Sequence, residues 1–287
     1  MKYSCPAHRG VALVIVLWMV AALSLITAGI VQSVRTEIRV VGSQRQAAVV
    51  NALADGVILL ALQSLHATQQ EPRSFIQSIP VEFEGVKYDV LIQPLNGLVD
   101  INTASPRLLT ELFRIAGGLP LDSAQSLARA TIEFRQIKNG KGVPRGFDST
   151  EDLLSVPQMT YFLYAKLSGL VSADLKESSG RVNPLAAPAG LLQVLAGGNA
   201  VRANDLAAKR DSNPNSMDTS LLNPEFTEIT PSRSLRLQVR VDLPDGGVIQ
   251  RAWLVYWGTD PRSRLPWRVL RTPGTDSSAV TLTPQQP

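Results

Sequence analysis

The residue types that most often perform catalysis are scarce in this sequence. The chain of 287 residues has two histidines, His8 and His66, and a single cysteine, Cys5, which has no second cysteine with which to form a disulfide. His66 falls at the end of a helical pattern, where a surface position is its ordinary role. Asp148 and Glu151 have the spacing of a helix cap and its reciprocal partner. Neither a glycine-rich phosphate loop nor the spacing of zinc ligands occurs. The sequence therefore predicts a protein that is not an enzyme.

One polar segment, "DSNPNSMD", has part of the spacing of a calcium-binding loop. Asp211, Asn213 and Asn215 occupy its first three ligand positions. Ser216, however, stands where the sharp turn requires glycine, and Leu222 stands where a bidentate carboxylate belongs. A turn-rich polar loop accounts for the segment better than a metal site does. The prediction is therefore no metal and no cofactor, with calcium as the alternative.

The segment "DINTAS", residues 100–105, raises the alternative of phosphate binding. It is similar to the start of helix-hairpin-helix DNA-binding repeats, in which the amides of a glycine-bearing hairpin contact phosphate oxygens. Here the first hairpin would be "AGGLPLDS", where Pro120 lacks an amide and Asp122 adds negative charge, and the second, "VPQMT", has no glycine. Four nearby cations are more typical of a solvated loop than of a binding patch: Arg135, Lys138, Lys141 and Arg145. A membrane-anchored helix-hairpin-helix DNA-binding protein is therefore an alternative function and not the favoured one.

A long uncharged run near the N-terminus is the first structural element that the sequence predicts. Residues 11–34 contain no charged side chain, and as an α-helix they would extend roughly 36 Å, enough to cross a bilayer. Lys2 and Arg9 precede the run, whereas the charges after it are mixed. Because positively charged flanks tend to stay in the cytoplasm, the sequence predicts a single-pass protein with a cytoplasmic N-terminus.

The helical pattern continues beyond the uncharged run. Apolar residues recur there at steps of three and four: Val50, Leu53, Ala54, Val57, Leu60, Ala61 and Leu65. Pro72, in "QQEPRS", ends the pattern. The sequence predicts one helix from about Val11 to about Leu65, half in a membrane and half forming the spine of a domain.

Alternating apolar residues predict strands on both sides of a long middle region. Tyr88, Val90 and Ile92 form the first set. The second set precedes the turn "PDGG" and the run "VIQRAWLVYW", which together indicate a hairpin; its members are Leu235, Leu237, Val239 and Val241. A long helix with an antiparallel sheet is an α+β arrangement, interrupted here by about 130 residues.

The interruption is predicted to be mainly helical. Ser105 can cap a helix whose first residue is Pro106, and Gly117 with Gly118 ends it. A second copy of this pattern, "NPLAAPAGLLQVLAGG", follows 82 residues later, with Pro188 in the place of Pro106. Between the two copies, "SLARATIEFRQI" and "STEDLLSVPQMTYFLYAKLSGLV" predict further helices.

The start of the chain resembles a class III leader peptide. It is short and basic, ends at Gly10 and is followed directly by the apolar run. Type IV pilins and type II secretion pseudopilins have such leaders, which a prepilin peptidase cuts after the glycine. The resemblance implies that Val11 becomes the N-terminus and is methylated. It also marks Ile15, the fifth mature residue, as the position where most pilins have a glutamate.

The chain also resembles the minor pseudopilin K family of type II secretion over nearly its whole length. The matching segments are "RGVALVIVLW", "SVRTE", "LVDINTAS" and a terminal strand pair. The resemblance implies an α+β fold in which a pilin-like long N-terminal helix packs on an antiparallel sheet, with a large inserted, mainly helical domain of SAM-like or helix-hairpin-helix-like type. It implies six segments: a leader at 1–10, a transmembrane half-helix at 11–34, the first part of the pilin core at 35–97, the inserted domain at 98–225, the closing strands at 226–272 and a flexible tail at 273–287.

The same resemblance implies a function in protein export. The protein would initiate and cap the periplasmic pseudopilus at its tip, where an apolar Ile15 is tolerated because the first subunit has no N-terminal ammonium above it to neutralise. The implied partners are minor pseudopilins I and J, with H as a further candidate, the prepilin peptidase, the inner membrane and exported proteins, but not nucleic acid. The implied location is the inner membrane, with a single pass and a periplasmic soluble domain. A minor pilin of a type IV pilus is a second alternative function.

Overall fold

The computed structural model describes residues 9–68, 72–138, 140, 142, 144–175, 178–214, 217–242 and 247–272. In its first helix, side chains are described at 13–24 and from 44 onward. Several predictions fall outside the described residues: the leader at 1–8, the tail at 273–287, and Lys141, Asn215 and Ser216. The chain divides into two compact units between Leu53 and Ala54, and each unit is described by itself.

The first helix, α1 (Arg9–Ala67), is 59 residues long and has no break. The prediction of one N-terminal helix is therefore confirmed. Its part in the first unit presents apolar side chains that are exposed wherever they are described between residues 13 and 24.

A five-stranded antiparallel sheet lies in the second unit, with strand order β1-β2-β5-β6-β7. In chain order the strands are β1 (Gln77–Phe83), β2 (Val86–Pro94), β3 (Val99–Asp100), β4 (Val171–Ser172), β5 (Ser234–Asp242), β6 (Val248–Trp257) and β7 (Trp267–Arg271). The short strands β3 and β4 pair in parallel, apart from the sheet. The predicted β2 strand and the β5–β6 hairpin are present, and the predicted inward residues Val90 and Ile92 are buried.

The C-terminal part of α1 packs on one face of this sheet. Its buried side chains recur with the helical period: Ala54, Val57, Ile58, Ala61, Leu62 and Leu65. Ile58 and Leu62 were not part of the predicted stripe, whereas Leu60, which was, is only half-buried. The buried stripe is therefore rotated about the helix axis relative to the predicted one, towards Ile58 and Leu62 and away from Leu60.

Among its described residues, the inserted region between β2 and β5 has five α-helices and one continuous hydrophobic core. Its α-helices are α2 (Pro106–Glu111), α3 (Leu121–Gln136), α4 (Tyr161–Leu167), α5 (Ala189–Leu195) and α6 (Ala200–Ser212). A π-helical turn, Leu112–Ala116, continues α2, and a 3₁₀ helix, Thr150–Ser155, precedes α4. The two predicted "N-x-A" helices, α2 with its π turn and α5, bury side chains in this same core. The prediction of a mainly helical insertion is confirmed.

The helix caps agree with the sequence at the start of the insertion and differ in its middle. Ser105 accepts a hydrogen bond from the amide of Leu108, with Pro106 at the first helical position, as predicted. The predicted Asp148–Glu151 cap is wrong by one residue. The cap is Ser149, whose amide donates to the Asp152 carboxylate at 3.0 Å. Both pairs have the same spacing, and the structure uses the one that begins with a hydroxyl.

Candidate functional site

The N-terminal stretch of α1 exposes an apolar surface. From Leu13 to Leu23 every large apolar side chain is at least half exposed, including Ile15 at 54% and Trp18 at 74%. Such an unbroken exposed stretch is unstable in water unless lipid or another helix covers it. Gly10 and Val11 lie in the first turn of the same helix, and Ile15 follows about one turn later. Their roles in processing and at the tip stay predictions.

A search of the described residues by length and composition finds one helical stretch that could cross a membrane, Gln44–Ala67. This stretch, however, includes Ala54, Ile58 and Leu62, which are buried in the second unit. When the apolar face of a segment already packs on protein, less apolar surface remains to be transferred into lipid, and the free energy gained by membrane insertion is smaller. The exposed stretch Leu13–Ser24 is the better candidate for membrane contact, although its described part is shorter.

A polar contact fixes the position of α1 on the sheet. The carboxylate of Asp55 accepts hydrogen bonds from Arg251 Nε at 2.7 Å and Nη2 at 3.2 Å, and from Trp253 Nε1 at 2.7 Å. Both partners lie on β6, and the Asp55–Arg251 ion pair is mostly buried. Charge-assisted bonds of this kind require a defined geometry. They therefore fix both the rotation and the height of the helix spine against the sheet.

The "DINTAS" segment ties together three loops of the insertion. The side chain of Asn102 accepts a hydrogen bond from the amide of Phe147 at 2.7 Å and donates to the carbonyl oxygens of Phe147 at 3.0 Å and Ala173 at 3.4 Å. Arg135, which the sequence placed with three other cations in a solvated loop, donates instead to the carbonyls of Ile101 and Ala104. The segment is thus occupied by internal contacts.

Asp100 begins this segment as a buried carboxylate. It accepts hydrogen bonds from the Thr103 hydroxyl at 2.6 Å and from the amide of Asn102 at 3.0 Å. Burial raises the pKa of Asp100 above its ordinary value, against the lowering effect of these hydrogen bonds and of Arg135. The folded chain therefore holds a proton on Asp100 more readily than the unfolded chain does.

Stability should accordingly depend on pH through Asp100. As pH falls from 7 through the raised pKa towards the ordinary value of 3.8, the wild-type protein should gain free energy of unfolding relative to Asp100→Asn, because only the wild type takes up the proton in the folded state. Below that value Asp100 is protonated in both the folded and the unfolded wild-type protein, so the free energy of unfolding increases no further through this group. Urea unfolding of both proteins across this pH range measures the difference. A difference that stays constant or reverses contradicts the burial argument.

The second "N-x-A" element joins the insertion to the sheet region. Asn183 is fully buried. Its side-chain amide donates to the carbonyls of Ser74 and Thr230, and its oxygen accepts from the amide of Leu185 at 3.1 Å. Its own backbone amide donates to the Asn96 carbonyl at 2.7 Å. One asparagine thus links the segments before β1, after β2 and before β5.

The features that would bind phosphate are engaged within the protein. In the first hairpin, the amide of Gly117 donates to Leu112 and the amide of Leu119 donates to Phe113. Arg145 lies over the ring of Phe134, 5.9 Å from its centroid. Because these two amides already have acceptors, they offer little to a phosphate oxygen.

The segment with partial calcium-loop spacing, expected to be a turn-rich polar loop, begins in the last turn of α6. Asp211 belongs to the last turn of that helix, where its carboxylate accepts a hydrogen bond from Arg210 Nε at 2.8 Å. Among the residues that the structure describes, no group of three or more His, Cys, Asp or Glu side chains could hold a metal ion.

Comparison with solved structures gives an informative similarity. No family model and no curated protein matches the chain. A chain in the crystal structure of the GspK-GspI-GspJ complex from the type 2 secretion system of enterotoxigenic Escherichia coli is similar, with 15% sequence identity and a TM-score of 0.52. The similarity covers 82% of this protein and 99% of that chain. This protein has a GspK-like pseudopilin fold. At this identity the likeness establishes the fold and leaves the function to be proposed.

Proposed function

We propose that this protein is a minor pseudopilin of a type II secretion system that initiates and caps the periplasmic pseudopilus. The observation that carries the proposal is the GspK-like fold, joined to a continuous helix whose first turns expose only apolar and small side chains where they are described. Pseudopilins require both parts, because the helix holds the subunit in the membrane before assembly and in the fibre afterwards.

The proposed membrane arrangement follows from the charge and exposure of α1. Leu13, Trp18 and Leu23 are exposed by 64–74%, which favours lipid around them before assembly. Prepilin peptidase would cut after Gly10 on the cytoplasmic side of the inner membrane. The second unit would then be periplasmic, with no catalytic role.

The tip position is supported by Ile15 and by the insertion. In a fibre, the N-terminal ammonium of each subunit enters apolar surroundings, where an unpaired charge is costly. A carboxylate at the fifth position would offset that cost for a subunit docking beneath an earlier one. The first subunit has no earlier subunit above it whose N-terminal ammonium must be neutralised. Ile15 is therefore tolerable at the tip and unfavourable in the shaft. The insertion, which has a core of its own, also suits a position where no further subunit must stack.

The proposed partners are the minor pseudopilins I and J, with H as a further candidate. The similar structure is itself a GspK-GspI-GspJ complex, which supports this choice. Exported proteins are further candidate partners. Nucleic acid is not proposed, because the amides of Gly117 and Leu119 and the side chain of Arg135 are engaged in internal contacts.

Immunogold labelling tests the tip assignment. In cells that overproduce the fibres, antibody to this protein should place gold at one end of each fibre, whereas antibody to the major pseudopilin should label the whole shaft. Gold spaced along the shaft would refute the tip position. Labelling of surface pili instead of the secretion fibres would favour a minor pilin of a type IV pilus.

A further inference from the structure

A cleft separates the inserted domain from the outer face of the sheet. Its volume is about 720 Å³, within the range of sites that take a small ligand or a few residues of a peptide. Leu95, Leu98 and Leu254 form part of its apolar lining. Tyr164, from α4, contributes an aromatic side chain on the insertion side.

Arg236 brings an unpaired positive charge into this cleft. Its neighbour Leu237 pairs with Trp253, which bonds to α1, so the alternation of β5 directs Arg236 to the opposite face of the sheet. The Nε atom of Arg236 is buried, and none of the residues that the structure describes offers it a hydrogen-bond acceptor. Within the described part of the chain, no carboxylate forms an ion pair with its guanidinium.

The other charges of the cleft have their own interactions. Arg271 lies 3.5 Å from the Glu151 carboxylate and donates to the Asp148 carbonyl at 3.2 Å. Asp174 also lines the cleft and has an interaction of its own. Among the described charged residues that line the cleft, Arg236 is therefore the cation that lacks a counter-ion. Leaving a buried donor on a charged group unsatisfied is costly, so a ligand that satisfies it gains binding energy.

We propose that this cleft binds a carboxylate group on an acidic peptide segment of another protein. A guanidinium presents two parallel N–H donors that match a carboxylate, and one unpaired positive charge calls for one negative charge. The nearby Glu151 and Asp174 disfavour a dianion such as phosphate. The leucines and Tyr164 contact the aliphatic part of an acidic side chain and its flanking residues. The proposal rests on this geometry and is independent of the function proposed above.

Peptide binding to the full chain, solubilised in a nonionic detergent, tests the proposal. The probes are a fluorescent, doubly capped five-residue peptide with one central glutamate and the same peptide with glutamine. Fluorescence anisotropy should show that the glutamate peptide binds about 10-fold more tightly or better. Equal binding of the two peptides overturns the proposal, and this comparison requires no variant.

Two variants locate the binding site. Arg236→Gln should reduce affinity for the glutamate peptide to that of the glutamine peptide. Arg240→Gln is the matched control, because Arg240 lies on the same strand and face but is exposed and pairs with Asp242 at 3.3 Å; it should bind as the wild type does. Circular dichroism verifies that both variants fold. Wild-type affinity in a folded Arg236→Gln protein overturns the assignment. If free glutarate competes as strongly as the unlabelled peptide, the site takes small carboxylates and the peptide assignment is wrong.

Discussion

Gly10→Phe is expected to leave the leader peptide on the chain and to stop its assembly. A peptidase that cuts after this residue must bring its catalytic groups close to the peptide backbone, and glycine permits that approach because it has no Cβ. A phenyl ring at the same position fills the space that the enzyme needs. Full-length protein should accumulate in the membrane fraction, and export of the secretion substrate should fall by about 10-fold or more, an order-of-magnitude expectation for a lost essential processing step. Immunoblots of membranes and culture medium measure both effects.

Gly56→Ala is the matched control for that substitution. Gly56 lies in the same helix, and a Cβ added there would meet no atom within 4 Å. Alanine also favours the helix, so the variant should be cut and should support export as the wild type does. If Gly10→Phe is processed normally, the leader assignment is wrong.

Asn183→Ala is expected to lower the free energy of unfolding by about 3 kcal/mol. The substitution removes three side-chain hydrogen bonds, each with a net contribution of about 1 kcal/mol. It also leaves the backbone amide of the buried Leu185 without its side-chain acceptor, and an unsatisfied buried donor is costly. The Thr230 carbonyl, in contrast, keeps a hydrogen bond from the Asn96 side chain at 2.9 Å. Because the three segments come from distant parts of the chain, no local repacking restores the contacts.

Asn199→Ala is the matched control, because it makes the same asparagine-to-alanine change at an exposed site. Asn199 caps α6 by accepting one hydrogen bond, from the amide of Arg202, at an exposed site. Its loss should cost about 1 kcal/mol. Urea unfolding in detergent, followed by tryptophan fluorescence, gives both values. If the two variants differ by less than about 0.5 kcal/mol, which is the ordinary scatter of surface substitutions, Asn183 does not join the insertion to the sheet.

The sequence was informative wherever a local period or a turn residue determines structure. The apolar steps of three and four predicted α1, and alternation at Val90, Ile92 and Val239 predicted β2 and β5. Strand β1 was missed, although Glu84 and Gly85 follow it in the left-handed conformation of a tight hairpin turn, with φ of 51° and 78°. That dipeptide, between two β-rich runs, was the available signal. Strand β7 gave no comparable signal, because its five residues do not alternate in polarity.

The contacts that join distant segments could not be predicted in the same way. Asn183 meets Ser74 across 109 positions of the chain, and Asp55 meets Arg251 across 196. The sequence around Asn183, Ser74 and Arg251 gives no signal of these contacts. The signal at Asp55 is that a carboxylate occurs within an apolar helical stripe. The unpaired state of Arg236 likewise depends on which residues surround it after folding, and β-strand alternation alone describes it as an exposed arginine.

The intact mass of the protein extracted from the inner membrane tests the pseudopilin account most directly. The account predicts the mass of residues 11–287 plus one methyl group, because cleavage after Gly10 exposes Val11 to N-methylation. A mass that retains Met1 or Lys2 would contradict it, because the leader would then be an ordinary part of the chain. A mass corresponding to a cut beyond residue 24 would contradict it as well, since the exposed apolar turns that carry the proposal would be absent from the mature protein.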